Sequence, residues 1–178
     1  MLNRFFLPKA WPIWAIIASI LMLGAAHAFE RFALLAPCPL CLRQREVYWA
    51  AILLAVIGLV LIRWIKGPRL VMTVNVLLGL VFVTGAVIAG YHAGVEWGLW
   101  PGPTACSGTG GEGLALDAAS MNLNRGFATV SCSEAAWRMF GISMAGYNAV
   151  ISLGLAIASG ISARRALAKK HSATTSTL

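Results

Sequence analysis

Pro37-Cys38-Pro39-Leu40-Cys41-Leu42-Arg43-Gln44-Arg45 sets two cysteines in a Cys-x-x-Cys spacing, between one apolar segment and the opening turn of the next. Thiols at this spacing either close a small reducible disulfide ring or supply half of a metal site. Which of the two applies, and what would exchange electrons with the pair, depends on what surrounds it.

The surroundings are apolar. Of 178 residues, 59% are hydrophobic and 11% charged, with a mean hydropathy of +0.78, whereas soluble domains carry about a quarter of their residues charged. A soluble chain of this length could not bury so much apolar surface, so the composition indicates a membrane protein. The net charge of +8 would suggest nucleic acid in a soluble domain. Here the basic residues lie between apolar runs rather than in a stripe, which makes them orientation signals for a lipid bilayer. No nucleic-acid partner is expected.

Four apolar segments, about 13–29, 42–62, 70–90 and 141–161, each approach the ~20 residues that cross a hydrocarbon core as a helix. The expected fold is an all-α membrane protein, a four-transmembrane-helix bundle over 13–162 with outer loops at 30–41 and 91–140. Residues 1–12 and a basic tail at 163–178, Ser/Thr-rich at its end and expected to be disordered, lie on the other side. Arg4, Lys9, Arg63, Lys66, Arg69, Arg164, Arg165, Lys169 and Lys170, nine of the 14 basic residues, fall on that side with no acid among them. Arg31, Arg43, Arg45, Arg125 and Arg138 fall on the loop side with all six acids. The excess of Lys and Arg makes both termini cytoplasmic. Arg4 and Lys9, an apolar run and Ala26-His27-Ala28 also fit a cleavable signal peptide. That run exceeds most signal cores, however, and cleavage would leave Cys38 close to a new N-terminus.

Trp11, Trp14 and Trp64 fall at one membrane boundary, and Trp97, Trp100 and Trp137 at the other, as interfacial aromatic belts do. Gly79 and Gly85 are expected at close helix contacts, and Asn75 and Asn148 as interhelical hydrogen-bond partners.

Cys38, Cys41, Cys106 and Cys132 all lie in the outer loops, an even count that suggests disulfides in an oxidising compartment. A bridge between Cys106 and Cys132 would stabilise the fold by roughly 3–4 kcal/mol through loop closure alone. A Cys38–Cys41 ring constrains too little chain to be a useful staple. A zinc site would need a second ligand pair, which neither the loop cysteines nor the three histidines supply at the right spacing. No metal is expected, and Cys38–Cys41 is best taken as redox-active. The second helix needs a start near Leu42 to reach across the membrane, which puts Cys41 at the helix N-terminus, where the dipole favours a thiolate. Arg45 follows one turn later on the same face, a cation suited to a polar electron-accepting headgroup with an apolar tail. Arg43 points elsewhere, to solvent or lipid headgroups. The Gly-rich Ser107–Gly113 stretch would leave Cys106 free to reach a partner, and Leu116, Met121, Leu123 and Phe127 could line one face of a short surface helix.

The Cys-Pro-Leu-Cys followed by Gln44-Arg45, the second cysteine pair, the Tyr91–Cys106 run with its Trp100-Pro101-Gly102-Pro103, and the Cys132–Gly141 entry to helix four resemble the disulfide bond formation protein B (DsbB) family over about residues 10–162. The resemblance implies an inner-membrane enzyme with periplasmic cysteine loops. It would reoxidise a DsbA-like periplasmic thiol oxidase and pass electrons to membrane quinone, ubiquinone or menaquinone. It further implies attack by the partner on Cys106, exchange of freed Cys132 with Cys38, and electron donation to quinone by Cys41 beside Arg45. Gln44, Met144, Tyr147 and His92 are the other candidate quinone contacts. The Ser107–Gly113 stretch has no counterpart in that pattern. A quinone-coupled thiol enzyme of the vitamin K epoxide reductase type is an alternative, although those carry the Cys-x-x-Cys on the last core helix. A non-catalytic, disulfide-stapled membrane scaffold is another.

Overall fold

Proline sets the start of three of the four long helices. The computed structural model describes residues 7–65, 67–103, 128–129 and 132–175. Its helices are α1 (Trp11–Phe32), α2 (Pro39–Trp64), α3 (Pro68–Glu96) and α4 (Met144–Thr175). Pro12, Pro39 and Pro68 occupy first-turn positions, where the missing N–H has no helical partner to lose. All four helices are long and apolar enough to cross a membrane. Even the 22-residue α1 extends about 33 Å at 1.5 Å per residue.

The bundle is built for lipid. Many of its interior positions are small or polar, packed around Leu78 and Phe82: Ala15, Ser19, Ala51, Ala55, Asn75, Ser152 and Ser159 are buried, while Leu21, Leu53, Val87 and Val150 face outward and are more than 60% exposed. Lipid supplies no hydrophobic drive between helices, so association rests on close packing and hydrogen bonds. A Cβ at Gly58 would come 2.5 Å from Val74 Cγ1, and one at Gly85 would come 3.0 Å from Val47 Cγ1. Gly79 meets Ser159 in the same way. Asn75 Nδ2 donates to the Pro8 carbonyl at 3.0 Å, and Trp11 Nε1 donates to Ser159 Oγ at 2.9 Å.

Several boundaries differ from the expected ones. α1 runs from Trp11 to Phe32 rather than 13–29. α2 starts at Pro39 rather than near Leu42, because Pro39 takes the first helical position and Cys38 becomes the N-cap. α3 continues beyond Gly90 to Glu96, since His92 and Glu96, polar in the sequence, turn into the protein. α4 starts at Met144 rather than Gly141, because β3 (Arg138–Met139) and β4 (Ile142–Ser143) form a hairpin across Phe140-Gly141. Both turn residues have positive φ, 50° and 78°, as a two-residue primed turn requires. Ser143 Oγ then accepts the Gly146 N–H at 3.1 Å and caps α4. α4 continues beyond Ile161 to Thr175, so the basic tail is helical over most of its length; its Ala, Leu and Lys residues are strong helix formers.

One further pairing positions the site. β1 (Leu35–Ala36) runs parallel to β2 (Ala128–Thr129), with Ala36 opposite Thr129. The segments leading into Cys38 and Cys132 therefore lie side by side. Cys106, the Ser107–Gly113 stretch and the expected surface helix around Leu116–Phe127 lie outside the described residues.

Gly58→Leu should lower resistance to denaturing detergent by about 1–3 kcal/mol, the usual cost of overpacking a tight contact. Adding Val74→Ala should recover part of that loss in the same titration. An unchanged Gly58→Leu protein would mean that α2 and α3 do not approach as described.

Candidate functional site

Cys38 is the first polar group of the site because it is the cap of α2. Its Sγ accepts the Cys41 N–H at 3.2 Å and lies 2.8 Å from Cys41 Sγ. Both cysteines are free thiols, and Cys132 is disulfide-bonded. Cys38 and Cys132 are 3% and 1% exposed. Their sulfurs and a ring nitrogen of His92 all lie within 4.8 Å of one another.

This geometry corrects the expectation that Cys41 holds the stabilised thiolate. The unpaired N–H at the helix start points to Cys38 Sγ, and His92 Nε2 lies 3.7 Å from the same sulfur. The hydrogen bond with the Cys41 thiol pulls the Cys38 thiol well below its ordinary value. His92 and the Cys41 N–H act in the same direction, and burial opposes them. The negative charge of a reduced pair therefore belongs on Cys38.

His92 is held by a chain of side-chain amides that starts in the bundle core. Tyr48 donates to Asn148 Oδ1, and Asn148 Nδ2 donates to Gln44 Oε1. Gln44 Nε2 lies 2.9 Å from His92 Nδ1. Ser152 Oγ closes the far end, 3.0 Å from the Tyr48 hydroxyl. With the Gln44 amide donating to Nδ1, the ring proton sits on Nε2, the edge facing Cys38. Every buried member of this chain has a partner, as a polar group at membrane depth requires.

An apolar cavity of about 310 Å³ opens beside the pair. Its walls include Met22, Leu23 and Phe29 of α1 and Met144, Tyr147 and Ile151 of α4. Trp137 closes one side, its ring centroid 5.4 Å from that of Phe29 and 6.3 Å from that of Tyr147. The polar lining includes Gln44, Arg45, His92 and Glu96. Arg45 Nη1 pairs with Glu30 Oε2 at 2.5 Å and its Nη2 reaches the Ala26 carbonyl at 3.3 Å, which fixes the guanidinium at the cavity edge. Arg43, in contrast, makes an exposed 2.9 Å pair with Glu46 that contributes little.

Of the residues singled out in the sequence, Cys38, Cys41, Gln44, Arg45, His92, Met144 and Tyr147 line this one cavity. Cys132 joins through its contact with Cys38, and Cys106 lies outside the described residues. Glu30, Tyr48, Glu96 and Trp137 also belong to the site and were missed as candidates. Tyr48 was detectable, seven residues from Cys41 and four from Gln44 on one helical face. Glu96 would have been found four residues after His92 had α3 been extended past Gly90.

Comparisons with known proteins place these features. The family model for disulfide bond formation protein DsbB matches residues 8–162. RP370, an uncharacterized protein of Rickettsia prowazekii (strain Madrid E), is 26% identical over 151 residues, covering 82% of each chain. No solved structure matches. With four membrane-crossing helices and the family match over most of its length, the chain belongs to the DsbB family of membrane oxidoreductases of disulfide bond formation.

Proposed function

We propose that the protein is a thiol:quinone oxidoreductase of the bacterial inner membrane. It reoxidises a DsbA-like, thioredoxin-fold periplasmic partner and passes the electrons to ubiquinone or menaquinone. The observation that carries this is the two-sided position of the Cys38–Cys41 pair. One sulfur, Cys38, meets disulfide-bonded Cys132, and the pair lines an apolar cavity. The lysine and arginine count supports cytoplasmic termini and periplasmic cysteine loops.

The cavity residues fit a quinone, a planar ring with two carbonyl acceptors and an apolar tail. Phe29, Trp137, Met144 and Tyr147 offer flat or deformable apolar contacts, and Arg45 and Gln44 supply N–H donors at the edge. The volume lies at the lower end of the usual range for ligand sites, about 300–1,000 Å³. Bound there, a quinone supplies a two-electron acceptor.

The protein's own residues do the rest. The partner's thiolate attacks Cys106 of a Cys106–Cys132 disulfide, and Cys132 leaves as a thiolate. Cys132 then attacks Cys38 of the oxidised Cys38–Cys41 pair, forming a Cys38–Cys132 bond and releasing Cys41 as a thiolate towards the cavity. The partner's second thiolate attacks its own sulfur in the mixed disulfide, which releases the oxidised partner and frees Cys106 as a thiolate. Cys106 then attacks Cys132 and expels Cys38, a good leaving group because its thiolate is stabilised. On closing to the disulfide, the Cys38–Cys41 dithiol gives up two electrons and two protons, which a quinone held in the cavity would take.

Purified protein should oxidise a reduced thioredoxin-fold partner only when a quinone is supplied, and Cys41→Ala should reduce turnover to background. Full activity in Cys41→Ala would refute this electron path. Cys132→Ala should accumulate a covalent complex with the partner through Cys106, visible as a reducible band on a gel. Absence of that complex would favour a disulfide-stapled scaffold.

A further inference from the structure

Glu96 has no part in the cysteine exchange, yet its side chain is as buried as that of His92, each 5% exposed. It stands one turn after His92 on α3 and lines the cavity beside Cys38. Its Oε1 lies 3.8 Å from His92 Nε2. Its Oε2 is buried without a hydrogen-bond partner among the described residues. A buried carboxylate oxygen left unpaired is costly, and a proton relieves that cost directly.

The His92 ring makes the arrangement specific. Gln44 occupies Nδ1, so the neutral ring offers one N–H, on Nε2. Two acceptors face that single donor at nearly equal distance, Cys38 Sγ at 3.7 Å and Glu96 Oε1 at 3.8 Å. We propose that Glu96 is the proton acceptor for the Cys38 thiol, the two groups sharing one proton across the His92 ring. When Cys38 is a thiol, the Nε2–H belongs to the Glu96 carboxylate. When Cys38 is a thiolate, the Nε2–H belongs to the sulfur, and Glu96 holds the proton that the thiol gave up.

The step moves one proton and no electrons: thiol becomes thiolate, and carboxylate becomes carboxylic acid. It rests on the thiol:quinone reading only for the fate of that proton, which is one of the two that the reduced quinone takes. The other charged groups nearby are already engaged or lie on other elements. Glu30 of α1 pairs with Arg45 of α2, and Arg138 of β3 contacts the Glu96 backbone carbonyl at 3.4 Å. Glu134 is exposed, and Tyr147 of α4 donates to the Met139 carbonyl. Cys41 and disulfide-bonded Cys132 complete the set.

The test uses Glu96→Gln, which keeps the shape and removes the carboxylate. Neutralising Glu96 takes away the negative charge that competes with the thiolate, so Cys38 should stay ionised to lower pH. Its alkylation in reduced protein without quinone, read by peptide mass spectrometry, should be about tenfold faster near the acid end of the profile, one unit of pKa. Quinone-dependent turnover should fall about a hundredfold, as loss of a proton acceptor does, and Glu96→Asp should recover much of it. A structural defect would not raise one and lower the other. On the wild-type protein, infrared difference spectra should show a protonated-carboxyl band that rises as Cys38 ionises and is lost in both Cys38→Ala and Glu96→Gln. Unchanged alkylation with no such band would overturn the proposal. Wild-type protein without quinone-dependent turnover would instead overturn the thiol:quinone reading, leaving the alkylation and infrared results to decide the role of Glu96.

Discussion

The first residue of α2 governs the whole site. Pro39 takes the first turn of α2, where its missing N–H costs no helical bond, and Cys38 is the cap. From that single constraint comes the register: Cys41, Gln44, Arg45 and Tyr48 fall on one face, at the spacing that stacks side chains on a helix. A start three residues later would have put Cys41 at the unpaired N–H groups and reversed the chemical roles of the two sulfurs. The asymmetry of the pair, with the cap N–H turned to Cys38 Sγ and stabilising a thiolate there, is a consequence of where the helix begins.

A second constraint is the membrane. At that depth polar groups must find partners within the protein, and the chain from Tyr48 through Asn148 and Gln44 to His92 satisfies this with side chains from three helices. The same chain that prevents unpaired groups also sets which nitrogen of His92 carries the proton. Structural necessity and chemical tuning are here the same set of hydrogen bonds. Removing Asn148 would break both the Tyr48 and the Gln44 contacts at once.

Much of this was legible in the sequence. Hydropathy located four spans, the cysteine pattern pointed to the redox chemistry, and Asn148 was identified as an interhelical partner, whereas Asn75 bonds the Pro8 carbonyl ahead of α1. The misses have physical causes. Tyr91–Glu96 looked like loop because His92 and Glu96 are polar, but they point into a protein cavity rather than to water. The α2 start was set near Leu42 by span length alone, which fixes how much helix is needed but not where its first turn falls; Pro39 takes that position. The Phe140-Gly141 turn hid behind an apolar run that reads as helix. The parallel pairing of Leu35–Ala36 with Ala128–Thr129 joins residues far apart in the chain, and no local pattern announces it.

The central claim is that Cys38, and not Cys41, is the sulfur that exchanges with Cys132. Disulfide mapping by mass spectrometry in paired single variants tests it most directly. In Cys41→Ser, the Cys38 thiolate should open the bond to Cys132 and a Cys38–Cys132 disulfide should accumulate; in Cys38→Ser, no Cys41–Cys132 bond should form. The reverse result, Cys41–Cys132 in Cys38→Ser and none in Cys41→Ser, would contradict the account.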